Sequence, residues 1–141
     1  MDTSFLILIV DDNPEVRDVL ELMLDHEGYS TETAATADEA LSINAAGRVA
    51  LFIIDMHMPG KSGLELLKDL NVREGPYEAI IITGSAESEN FKQAQEYGVF
   101  GYIHKPFTHK ILIDYVGRAL ASVARKREKR AQAGLANTTV H

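Results

Sequence analysis

The chain has no cysteine. That excludes disulfides, thiolate zinc sites, iron–sulfur clusters and a cysteine nucleophile. No apolar run approaches the ~20 residues of a membrane span. The start, Met1-Asp2-Thr3-Ser4-Phe5, has no basic residue, so it does not read as a secretory signal. These absences predict a cytoplasmic protein that neither crosses nor coats a membrane. Positive charge is also scarce over most of the length. The formal net charge is −7, yet residues 121–141 set Arg125, Lys126, Arg127, Lys129 and Arg130 against Glu128 alone, a net of +4 that leaves −11 on the first 120 residues. An acidic body repels phosphate backbones and argues against a nucleic-acid-binding core. With 141 residues, 45% of them hydrophobic, the chain can bury about two-thirds of its unfolded surface as one domain without staples. That length leaves little room for a separate effector domain.

What is there is a strand–helix rhythm. Phe5 to Val10 and Val49 to Ile54 are continuous Ile/Val-rich runs that end at Asp11-Asp12 and Asp55. Runs of that length and composition predict strands buried on both faces. Ala79 to Ile82 is a third, ending at Thr83-Gly84, and Val99 to Ile103 is the fifth strand, ending before Lys105-Pro106. The more polar Tyr29 to Ala35 reads as a strand near a sheet edge. Between them lie helical patterns. Asn13-Pro14 is a cap followed by proline at the first helical position, with Val16, Val19, Leu20, Met23 and Leu24 predicted to face inward and Gly28 to end the helix. Residues 38–46 and 87–97, and a helix beyond Gly63 with Leu64, Leu67 and Leu70 inward, supply three more. From Thr108 a last helix turns Ile111, Leu112, Tyr115, Val116, Ala119, Leu120 and Val123 inward. Beyond Val123 the apolar face stops, so the basic stretch is expected to run into solvent and fray, with Gly134 to His141 disordered.

Five such βα units predict an α/β fold with a parallel sheet covered on both faces. Ligands of open α/β sheets bind at the carboxyl ends of the strands. Here those ends carry Asp11, Asp12, Asp55, Thr83 and Lys105. Three gathered carboxylates repel one another unless a cation neutralises them. An all-oxygen, incomplete donor set suits Mg²⁺, with Mn²⁺ possible. Lys105 adds a point charge for a phosphoryl oxygen, Thr83 a hydroxyl donor, and Gly84 room for close approach. Together they suit the charge stabilisation that phosphoryl transfer demands. Asp55, followed by a Pro/Gly-rich loop, is the best-placed nucleophile; a carboxylate with an ordinary pKa near ~3.9 needs no general base at neutral pH.

The ordered set Asp11-Asp12, Asp55 with Met58-Pro59-Gly60 and Gly63, Thr83-Gly84, and Lys105-Pro106-Phe107 resembles the receiver domain of two-component response regulators. The resemblance covers residues 5 to about 124. It implies a doubly wound, flavodoxin-like (βα)5 fold with strand order 2-1-3-4-5 over residues 1–124, followed by a basic extension and tail at 125–141. It further implies that Asp55 accepts a phosphoryl group from a sensor histidine kinase or a histidine phosphotransfer protein. Asp12, Asp55 and the carbonyl of His57 would bind Mg²⁺ directly and Asp11 through water. Lys105 would bridge Asp55 and the phosphoryl group, Thr83 would move toward it, and Tyr102 would turn inward as a switch. The Lys105–Pro106 peptide bond would be cis. The output would be a changed face made by the fourth helix, fifth strand and fifth helix, read by a downstream protein, on a monomer or weak homodimer. His57 and Ser85 would flank the path of hydrolytic water.

Each piece has a plainer reading when taken alone. Asp11-Asp12 could be a helix cap, Thr83 a capping hydroxyl, Lys105 a surface lysine and Tyr102 a core aromatic. An aspartyl phosphatase of the haloacid-dehalogenase kind also places Asp, Thr/Ser and Lys at strand ends. That family has a second Asp two residues after the nucleophile, where this chain has His57. A pseudo-receiver used only for binding would have lost part of the acidic pocket, and none is missing. The expected role is therefore a signalling receiver rather than a turnover enzyme. The histidines, including His26, His104 and His109, lack zinc spacing. The basic run is expected to be a solvated helix end favoured by the macrodipole.

Overall fold

A computed structural model describes residues 5–84 and 88–139. In chain order its elements are β1 (Leu6–Val10), α1 (Pro14–His26), β2 (Ser30–Ala34), α2 (Ala37–Asn44), β3 (Val49–Asp55), α3 (Gly63–Leu70), β4 (Glu78–Thr83), α4 (Ser88–Glu96), β5 (Gly101–His104) and α5 (His109–Thr139). The strands form one sheet in the order β2-β1-β3-β4-β5. Every pairing is parallel. The three strongest apolar runs become the three central strands. All of β3 and all of β4 are buried, as a strand sandwiched between helical layers must be. The polar β2 lies at an edge, as its sequence predicts.

Alternation along the strands builds two cores. Leu8, Val10, Phe52, Ile54, Ala79 and Ile81 meet α2, α3 and α4 on one face. Ile7, Ile9, Leu51, Ile53, Ile80 and Ile82 meet α1 and α5 on the other. Each fully buried aliphatic side chain contributes on the order of 2 kcal/mol relative to exposure. Helix starts follow the local chemistry. Asn13 Oδ1 accepts from the N–H of Glu15 with Pro14 at the first position of α1. Ser62 and Glu65 form a reciprocal capping box on α3, and Thr108 Oγ1 accepts from Ile111 N–H at the start of α5. Such caps satisfy N–H groups that the helix itself leaves open.

Three expectations are corrected. Val19 on α1 is 52% exposed and Ile111 on α5 is 44% exposed, because the sheet covers only a narrow stripe of each helix, centred on Leu20 and Leu24 in α1 and on Leu112 and Val116 in α5. On α3, Leu66 is fully buried although the periodicity picked out Leu64, which is only partly covered. The basic end of the chain does not simply run into solvent. Lys126 Nζ donates to the carbonyls of Val72 and Tyr77 at 2.8 and 2.9 Å and pairs with buried Glu78 at 3.3 Å. Arg127 donates to the carbonyls of Pro76 and Val49 and covers the Phe5 ring, and Arg130 reaches the carbonyl of Glu74. These cations cap the loop that enters β4. The helix continues through Thr139, so disorder from Gly134 is not what the structure shows; one glycine among good helix formers costs only ~1 kcal/mol. Residues 140 and 141 lie outside the described residues.

Candidate functional site

Register gathers the strand ends. Val10 is level with Ile54, Asp55 with Ile82, and Thr83 with His104. Asp11, Asp55, Thr83 and Lys105 therefore stand along one edge of the sheet. One carboxylate oxygen from each of Asp11, Asp12 and Asp55 lies within 4.8 Å of the other two, the one such group among the described residues. Asp11 is 3% exposed and Asp55 9% exposed, while Asp12 faces solvent. This donor set is all oxygen and open on one side, which fits a small hard cation that keeps some of its water.

Asp11 is held at its N–H, its carbonyl and Oδ1. Its N–H donates to the Ala34 carbonyl at 3.1 Å. Its Oδ1 accepts from the N–H of Asn13 at 2.9 Å. Its carbonyl accepts from Arg17 Nη1 at 2.7 Å. Burial holds its carboxyl above the ordinary carboxylate range, while the Asn13 N–H and the charge of Lys105 pull the other way. Asp55 is raised for the same first reason, and the negative charge of Asp11 adds to it. Lys105 and the His57 N–H oppose the rise. Low dielectric and like charge both penalise the ionised form. Lys105 is thus near enough to act on both buried carboxyls.

The loop after β3 is closed by its own residues. Met56 and Met58 are buried, Met56 N–H donates to the Ile82 carbonyl, and Gly63 N–H donates to the Met56 carbonyl. A Cβ on Gly63 would stand 2.4 Å from the Asp55 carbonyl oxygen, so α3 starts against the backbone of the strand end. His57 turns its side chain to solvent, and its N–H donates to Asp55 Oδ1 at 3.4 Å. Thr83 is fully buried. Gly84 is exposed, and a Cβ there would meet nothing within 4 Å among the described residues. Lys105 N–H donates to the Thr83 carbonyl at 2.7 Å, and the Lys105–Pro106 peptide bond is cis. Tyr102 is half-buried and packs edge-on against Phe91 of α4 and against His104. It lies on the α4 side of β5. Ser85 lies outside the described residues.

Two parts of this arrangement escaped the sequence reading. Arg17 carries no motif, and only the fold brings its guanidinium back to Asp11. Gly63 stood in the motif, but the contact that demands a glycine there is between elements.

A doubly wound sheet with an acidic pocket at its strand ends defines a class of α/β domains whose ligands bind at that end. Comparison with known proteins narrows it. The family model described as "Response regulator receiver domain" matches residues 7–117, and the chain belongs to that family. It is 35% identical to the sporulation initiation phosphotransferase F of Bacillus subtilis, over 81% of this chain and 92% of that protein. It is 39% identical to the nitrogen assimilation regulatory protein NtrX of Azorhizobium caulinodans, over 88% of this chain but 28% of that protein. A solved CheY-like receiver domain from Methanospirillum hungatei superposes with a TM-score of 0.82 at 31% identity, covering 88% of this chain and 99% of that one. The chain spans about a quarter of the length of NtrX and of the DctD regulator of Pseudomonas aeruginosa. No described helix is long and apolar enough to cross a membrane.

Proposed function

We propose that this chain is a phosphorylation-dependent signalling switch whose phosphoacceptor is Asp55. The observation that carries the reading is the convergence of Asp11, Asp12 and Asp55 within 4.8 Å, with the charge of Lys105 acting on both buried members. An Asp55 oxygen attacks the phosphorus of a phosphohistidine on a sensor kinase or phosphotransfer protein. A P–O bond forms, the P–N bond breaks, and the imidazole leaves with the electron pair. Asp12, Asp55 and the His57 carbonyl would hold Mg²⁺, or Mn²⁺, with Asp11 one water away. When bound, the cation neutralises charge on the carboxylates and the transferring group. Lys105 pairs with a phosphoryl oxygen and Thr83 donates its hydroxyl to another. Gly84 leaves space for the group to enter.

The readout belongs to the face of α4, β5 and α5. Tyr102 sits there against Phe91, two positions from His104 and three from Lys105, so a shift of the β4 and β5 ends alters that packing. The occupant of this face is a downstream protein, and the population of two conformations is what phosphorylation biases. The chain does this in the cytoplasm as a monomer or weak homodimer, with residues 1–124 as the receiver and the basic segment as an attached extension. Incubation with acetyl phosphate and Mg²⁺ should add one phosphoryl group, seen as an intact-mass increase that hydroxylamine removes. Asp55→Asn should abolish it. An Asp55→Asn protein modified as fully as the parent would overturn the reading.

A further inference from the structure

We infer that Arg17 is a positioning residue for the acidic pocket, a role that rests on the cation-binding reading above. Arg17 lies in the second turn of α1, half-buried. Its Nη1 donates to the carbonyl oxygen of Asp11 at 2.7 Å, across six positions of chain. It does not bind the Asp11 carboxylate, whose Oδ1 is taken by the Asn13 N–H. With the Asp11 N–H on the Ala34 carbonyl, the guanidinium completes a three-point hold on the residue where β1 ends. That hold fixes the direction in which the chain leaves the strand. Asp12 follows immediately, exposed and one residue from the Asn13 cap of α1, so its carboxylate is aimed by the same hold. Arg17 thus ties the helix to the loop and sets how the carboxylates of Asp11 and Asp12 meet that of Asp55.

Two physical effects of Arg17 have opposite signs, which makes the inference testable. As a cation whose charge acts on the Asp11 carboxylate, it competes with a bound metal ion, and removing it should tighten metal binding. As a brace, it presets the donor geometry, and removing it should weaken binding. Outer partners that orient metal ligands are typically worth tenfold or more in affinity. The experiment is Mg²⁺ titration by calorimetry on the whole chain, together with the rise in unfolding temperature on adding Mg²⁺. Arg17→Gln should bind Mg²⁺ about tenfold more weakly and show a smaller thermal rise, while its metal-free melting temperature stays close to that of the parent. Unchanged or tighter binding overturns the inference.

Arg17→Lys keeps the charge and the apolar stem but falls about one bond short of the Asp11 oxygen. It should be weakened by a smaller factor, about threefold, and it serves if the glutamine variant does not fold. Affinity equal to that of the parent in the lysine variant likewise overturns the inference. A parent chain that binds no Mg²⁺ removes the cation-binding reading itself, whereas equal binding by parent and variants removes only the role of Arg17.

Discussion

The two ends of the sheet treat charge in opposite ways. At the carboxyl ends, Asp11, Asp12 and Asp55 crowd together with Lys105 as the nearby cation, and the two buried members are pushed toward protonation. At the other end, Glu78 is just as buried but is held by Ser122 Oγ at 2.5 Å and Lys126 Nζ at 3.3 Å. Lys126, Arg127 and Arg130 around it also donate to main-chain carbonyls. One end is electrostatically complete and the other is short of positive charge. A fold that closes its charges where it only needs to hold together, and leaves them open at one edge, marks that edge as the place for a ligand.

The largest effect should come from opening the complete end. Lys126→Met leaves the Glu78 carboxylate buried beside only Ser122, and removing one partner of a largely buried pair should lower stability by about 3 kcal/mol, read as a lower urea midpoint at unchanged slope. Closing the deficient end should do the reverse. Mg²⁺ at about a hundred times its dissociation constant should stabilise the parent by about 2.7 kcal/mol, and Asp55→Asn should lose most of that gain. Without metal, Asp55→Asn should be the more stable protein at neutral pH by about 1 kcal/mol, as relief of unfavourable charge usually gives. The folded-state pKa of Asp55 lies above the ordinary value, so the folded chain holds the proton longer and stability falls as pH rises through that range. The advantage of Asn should therefore vanish in melts below the ordinary carboxylate pKa. The smallest effect is at neither end. Arg118→Ala breaks the exposed pair with Asp114 and should leave the urea midpoint essentially where it is in the parent; a large loss there would weaken the contrast.

Much of this was legible in the chain. The strands announced themselves because burial on both faces forces continuous Ile, Val and Leu, and their ends are marked by polar residues. Asp11, Asp12, Asp55, Thr83 and Lys105 were found that way, and register alone brings them to one edge. The misses share a cause. Val19 and Ile111 obey helical spacing, but periodicity gives a direction and not the width of the covering sheet. Lys126 and Arg127 look like solvated helix because their partners are carbonyls some fifty residues away, and a carbonyl acceptor leaves no trace in a sequence. Arg17 was silent for the same reason.

The zero clearance between Gly63 and the Asp55 carbonyl has a genetic meaning. In a library of all substitutions selected for phosphoryl uptake, codon 63 should return glycine alone, since any Cβ must drive helix and strand apart. Codon 84 also encodes a glycine beside the same carboxylates, but a Cβ there meets none of the described residues, and it should return small residues as well. Two glycines a short distance apart would then carry different alphabets: one fixed by the protein's own backbone, the other by the guest it admits.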